Sequence, residues 1–261
     1  MRAPPVFRIG NSDDFPHTSA MIPFKPIADN DPALAHSTLL KAALLTIDYI
    51  ETNGPIALTP SNALKRYFVH WASEVFAWPH YTAAELYAFN KVLNEQDFPP
   101  LVVLHDLLRG AKLVRHYKGT MMLTKLGKTL KHQPAALWKL LTSHLLLEID
   151  HAQYTRYGDH LVGNWDIFLN VINVETEAGV TEEHLCSVLF GGREEDIKRH
   201  EYRLAATFYI HALRPLCWSG LMEELRFGSG LERQELFVKT PLWSAALALE
   251  TDAVLGTVTR H

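Results

Sequence analysis

The chain has 261 residues, 48% hydrophobic and 21% charged, with a formal net charge of −4. This is the composition of an ordinary globular protein, and the strongest apolar run, 101–108, is broken by His105 and Asp106 and falls short of the roughly 18 residues that span a bilayer. Two cysteines, Cys186 and Cys217, cannot build a disulfide framework, and no apolar leader precedes a small-residue cleavage site, so the expectation is a cytoplasmic protein with no membrane partner.

Six of the fourteen prolines fall within residues 1–32, where no helical or strand period is visible. That stretch reads as an extended arm. It is either poorly ordered or strapped down through Val6, Phe7, Ile9, Met21, Ile22 and Phe24. From Ser37 onward Leu40, Ala43, Leu44, Ile47 and Ile50 recur at helical spacing and stop at Asn53-Gly54, a good C-terminal signal. Further helices are predicted over 61–77, 82–94, 99–109, 134–150, 181–189 and 194–213. Their starts are marked by Ser61, Thr82, Asp97 before Pro99-Pro100, Gln133 before Pro134, and Thr181.

Between Arg109 and Pro134 the period changes. Leu113 to Tyr117 and Thr120 to Leu123 alternate as two short strands about Lys118-Gly119, and Thr124 is placed to cap the helix that follows. A related pattern runs from Asn53-Gly54 to Thr59, with Gly five residues before Thr in both copies. A looser third copy runs from Gly220 through Gly228-Ser229-Gly230 to Lys239-Thr240-Pro241. The repetition of helix, hairpin and Thr-capped helix predicts a mainly α fold of tandem modules with short hairpins, joined by helices. The expected organisation is an arm over 1–32, one or more such modules over 33–132, a helical connector over 133–177 and a second module over 178–261.

Gly110-Ala111-Lys112-Leu113-Val114-Arg115 followed by Leu123-Thr124-Lys125-Leu126-Gly127-Lys128 resembles the wing of winged helix-turn-helix proteins of the MarR and PadR type. The resemblance covers about residues 95–132. It implies that 82–94 is the first helix of the helix-turn-helix, 99–109 the recognition helix and 115–120 the wing tip. The hairpin is shorter than the family's, and the acidic-plus-Arg wing tip is missing.

Charge supports a nucleic-acid reading of that region. No Asp or Glu occurs in residues 107–147, whereas eight Lys and Arg do, so the rest of the chain carries −12. Arg109, Lys112, Arg115, His116, Lys118, Lys125, Lys128 and Lys131 form the candidate nucleic-acid-binding set, since cations on phosphates release condensed counterions. Helix 99–109 is apolar and carries Asp106, so backbone contacts, to DNA in preference to RNA, are expected to outweigh base reading. The alternative is a protein-interaction scaffold whose modules contact other chains, and a homodimer is compatible with it.

Other constellations are weaker. Gly127-Lys128-Thr129 lacks the upstream glycine of a phosphate-binding loop, since Met122 stands there. His144, Glu148 and His151 would share a helix face, but a metal-binding bundle needs a second Glu-x-x-His, which the sequence does not contain. No metal, cofactor or catalytic residue is expected. The aromatic residues Phe68, Trp71 and Phe76 read as core.

Overall fold

The computed structural model of the protein describes residues 22–155, 158–161, 163–228, 234–253 and 255. Val6, Phe7, Ile9 and Met21 of the Pro-rich arm lie outside them. Among the described residues the fold is mainly helical with two small antiparallel sheets. The same described residues divide into two compact units, one of residues 27–148 with 218–220, the other of those within 22–26, 149–217 and 221–255. The division falls within the expected connector 133–177. Its helix at Pro134 belongs to the first unit, and a helix at Trp165 that the sequence reading passed over belongs to the second.

In the first unit α1 (Thr38–Asn53) starts where the Ser37 hydroxyl accepts the Leu40 N–H, and it ends at Gly54, whose φ of 85° only glycine adopts easily. The short strand β1 (Ile56–Ala57) follows, then α2 (Arg66–Val75), α3 (Ala83–Phe89), α4 (Pro99–Gly110), the hairpin β2 (Val114–Tyr117) and β3 (Thr120–Leu123), α5 (Lys125–Leu130) and α6 (Pro134–Leu147). Helix α2 begins five residues later than Ser61 suggested, because Asn62 sits at φ 64° and Leu64 bridges back to Leu58. Helix α3 is capped as expected by Thr82, in a full capping box with Glu85, but stops at Phe89 rather than 94. Asp97 closes a 3₁₀ turn with Asn94 and does not cap α4; Phe98 precedes that helix, which needs no first N–H because Pro99 and Pro100 open it. Leu39, Ile47, Leu101, Leu104, Leu137 and Leu141 place the core between α1, α4 and α6.

The likeness between 53–59 and 118–124 does not mark two hairpins. Ile56 pairs with Met121 and Ala57 with Thr120, so the first copy is the outer strand of the second copy's sheet, in the order β1-β3-β2. Both segments carry the same pattern because both alternate on one three-stranded sheet with a common buried face. Residues 33–132 thus hold a single sheet.

The second unit contains α7 (Trp165–Glu175), α8 (Glu182–Phe190), α9 (Glu194–His200), α10 (Tyr202–Phe208), a π-helical turn at Tyr209–Leu213, α11 (Arg214–Ser219, its last two residues assigned to the first unit), the hairpin β4 (Met222–Phe227) and β5 (Gln234–Lys239), and α12 (Pro241–Ala246). The single helix expected over 194–213 breaks at Glu201. No proline or glycine lies inside that run, so nothing local announced the break. Val180 exchanges both backbone hydrogen bonds with Phe237, which sets an outer bridge, β5 and β4 in the same order as β1, β3 and β2. Thr240 caps α12 as Thr124 caps α5. Phe168, Phe190 and Phe208 pack edge to face in its core. Part of the arm is strapped here: Phe24 bridges Leu247, and Ile22 is buried.

Candidate functional site

The hairpin turns through Lys118 at φ 47° and Gly119 at φ 71°, the two left-handed residues of a tight turn that suits the strand twist. It projects Arg115, Tyr117 and Lys118 outward; the Arg115 guanidinium and the Lys118 ammonium lie 5.5 and 5.3 Å from the centroid of the half-exposed Tyr117 ring. Lys112, Lys125 and Lys128 are exposed close by in sequence. Among the described residues none of Lys112, Arg115, Lys118, Lys125 or Lys128 has a carboxylate within ion-pair distance.

Three members of the expected set are placed differently. Lys131 lies 2.5 Å from both Asp48 and Glu51 of α1, and these hydrogen bonds hold its ammonium above the usual lysine range. Arg109 pairs with Asp106 at 3.3 Å. His116 turns inward, its Nε2 2.8 Å from His105 Nε2, and burial pushes its imidazole below the ordinary value, with the neighbouring His105 acting in the same direction. Acids remote in sequence supply the first of these differences, Asp106 just outside 107–147 supplies the second, and burial against His105 the third, so a charge count over that window sees none of them.

Helix α4 buries Leu101, Val103, Leu104, His105, Leu107 and Leu108, leaving Val102, Asp106, Arg109 and Gly110 as its accessible residues after the first turn. These offer one cation and one anion, too few for base-edge readout.

That accessible face borders a cleft of about 890 Å³, walled by Thr59 and residues 61–67 and by Asn94, Gln96, Val102, Asp106 and Arg109. At its floor runs a buried chain of acid and imidazoles that the sequence reading missed. Glu95, 6% exposed, holds His105 Nδ1 at 2.6 Å with Oε1 and accepts the Leu64 N–H at 2.6 Å with Oε2. His105 Nε2 then faces His116. An ionised carboxylate is acceptor-only, so it takes the proton of His105 Nδ1, and in a neutral His105 ring Nε2 is then the acceptor toward His116. Glu95, His105 and His116 are ten and eleven residues apart, a spacing with no periodic signature. The one available signal is His105 in an otherwise apolar run, since Glu95 lies among the polar residues Asn94, Gln96 and Asp97.

The weaker constellations resolve structurally. Gly127, in the phosphate-loop look-alike, is a glycine because a Cβ there would lie 2.3 Å from the Leu113 carbonyl oxygen. His144, Glu148 and His151 do not share a helix face, since α6 ends at Leu147 and His151 lies in a 3₁₀ turn. Phe68 and Phe76 are fully buried, and Trp71 packs on both Tyr49 and Phe68. Cys186 is buried, and desolvation raises both thiols.

Residues 35–136 match the model of the Y4jL N-terminal domain, and residues 155–241 that of the y4jL C-terminal domain. The uncharacterized protein y4jL of Sinorhizobium fredii (strain NBRC 101917 / NGR234) is 36% identical over 172 residues, spanning 66% of this chain and 78% of that protein. The chain belongs to the y4jL family. The gap between its two family domains, 137–154, contains the division between the compact units at 148. No solved structure matches the chain.

Proposed function

We propose that each compact unit of this y4jL-family protein is a winged-helix-like module, and that the first binds a nucleic-acid backbone through its wing and the helix after it. The element order supports the first half of this reading: a helix, an outer strand in the first unit or a single outer bridge in the second, further helices, a hairpin pairing with it and a Thr-capped helix occur in both units. The observation carrying the second half is the group of five exposed cations, Lys112, Arg115, Lys118, Lys125 and Lys128, with no carboxylate partner among the described residues. The exposed Tyr117 ring between two of them adds a face for stacking. The mode is contact with phosphates, DNA in preference to RNA, with little sequence readout because α4 keeps its apolar face in the core.

The experiment is an anisotropy titration of a fluorescent duplex against wild type and Lys118→Asp/Lys125→Glu, from low to moderate salt. Asp is chosen at 118 because it tolerates the left-handed backbone. Removing two phosphate contacts lowers the salt slope by about 1.8, at about 0.9 per phosphate, while the melting temperature stays near wild type. A folded double variant with unchanged affinity and slope refutes the reading.

A second reading, an interaction scaffold, has its own observation. Phe89 is 91% exposed at the end of α3, with Tyr87 and Val92 also exposed. Complexes that survive moderate salt and are lost in Phe89→Ser favour it.

A further inference from the structure

The cleft beside α4 is distinct from the wing cations, and its charge is arranged differently. Lys65 and Arg66 enter it from the start of α2, and Arg109 from the last turn of α4. Arg66 is held in place by a relay of hydrogen bonds. Its Nε donates to Asn94 Oδ1 at 2.9 Å, and Asn94 Nδ2 in turn donates to Asp97 Oδ2 at 3.0 Å. That relay fixes the guanidinium plane through Nε and leaves the two terminal nitrogens, the fork that grips a phosphate, uncommitted to any carboxylate among the described residues. The acids bordering the cleft do not compete equally. Glu95 lines the floor, but both its oxygens are engaged there by His105 and the Leu64 N–H, and Asp106 lies against Arg109. The first turn of α2 has no side-chain cap, so its dipole adds to the same positive charge.

We propose that this cleft binds a phosphate group carried by a nucleotide-sized ligand, with Arg66 as the oriented anchor and Lys65 and Arg109 as its flanking cations. Its volume of about 890 Å³ is far larger than a bare phosphate and falls in the ordinary range of small-molecule sites. The wall of Ser61, Asn62 and Gln96 offers hydroxyl and amide groups to the rest of such a molecule. The site does not depend on the wing: a phosphate ester reaches it as a free mononucleotide or as one unit of a bound strand, and the chemistry recognised is the same.

The test is a titration of the full-length protein with AMP, followed by backbone amide NMR and calorimetry. The expected result is saturable binding with a dissociation constant between about 0.1 and 1 mM, with shifts centred on residues 61–67 and 94–109. Arg66→Ala and Arg109→Ala each weaken it by about tenfold or more, the loss expected on removing a charge-assisted hydrogen bond. Asn94→Ala weakens it less, and Lys118→Asp leaves it unchanged. Both arginines are exposed, so the variants keep the wild-type melting temperature. Competition of AMP by a short thymidine oligonucleotide assigns the phosphate to a strand, and absence of competition assigns it to a free nucleotide; either supports the site. No saturable shift, or an AMP affinity indifferent to Arg66→Ala and Arg109→Ala, overturns it. Because Lys118→Asp/Lys125→Glu is read on duplex and Arg66→Ala on AMP, failure of one proposal is separable from failure of the other.

Discussion

Replacing Glu95 tests the buried chain beneath the cleft in a way that separates its chemistry from its bulk. Glu95→Ala strips acceptors from two buried donors at once, the Leu64 N–H and the His105 Nδ1–H, both at 2.6 Å in the native protein. An unsatisfied buried donor costs about 1–3 kcal/mol, so two of them with the cavity left behind amount to about 3–5 kcal/mol. Glu95→Gln keeps the shape but supplies one acceptor and one donor. Its oxygen has to stay on the Leu64 N–H, because a backbone amide cannot reverse. The amide NH₂ then faces His105 Nδ1, which can accept only if His105 moves its proton to Nε2, and His116 in turn must accept at its own Nε2. The whole chain reverses polarity with every partner kept, so the loss falls to about 1–2 kcal/mol, a neutral bond replacing a charge-assisted one. Differential scanning calorimetry separates the variants at about 2–4 °C per kcal/mol. Long-range ¹H–¹⁵N NMR of the histidine rings reads the tautomers directly: wild type with His105 protonated on Nδ1, Glu95→Gln with the proton on Nε2. The reasoning fails if Gln destabilises as much as Ala, or if His105 carries the same tautomer in both proteins.

Other expected outcomes follow from single contacts. Gly127→Ala places a methyl 2.3 Å from the Leu113 carbonyl, so α5 must move off the hairpin; a loss of about 2–3 kcal/mol in urea unfolding is expected, with Gly127→Ala indifferent to phosphate because no cradle exists there. Lys131→Gln lowers stability through its lost contacts with Asp48 and Glu51 but leaves the duplex salt slope unchanged, unlike Lys128→Gln; equal slopes for the two variants would contradict the pairing. Glu182, partly buried with Glu183, Glu235 and Glu224 as further negative neighbours, has its carboxyl pushed up to about 8, burial being the main cause. The folded protein therefore keeps a proton there that the unfolded chain gives up near the ordinary 4.5, so stability falls as pH rises through the window from about 4.5 to about 8. Glu182→Gln should flatten that part of the pH–stability curve, and an unchanged slope would show that the group titrates normally.

The sequence by itself determined the elements whose causes are local. Ser37, Thr82, Thr124, Thr181 and Thr240 start helices because their hydroxyls reach backbone amides two or three residues on, and Lys118-Gly119 turns the hairpin because both residues enter left-handed space. Helix α7 has the same local causes, the Asn164 side chain at its start and the spacing of Phe168, Leu169 and Ile172. Tertiary structure decided everything that depends on a partner far along the chain. It paired β1 with β3 across more than sixty residues, turning an apparent repeat into one sheet. It set Asp48 and Glu51 against Lys131, taking one cation out of the basic run. It also buried Glu95 and His105 beneath the cleft and turned His116 inward from the wing to meet them. Local hydrogen bonds and backbone dihedrals act over three or four residues and so leave a pattern in sequence. Electrostatic pairing and burial act through space, and their sign at a given residue is fixed only when the fold brings its neighbours to it.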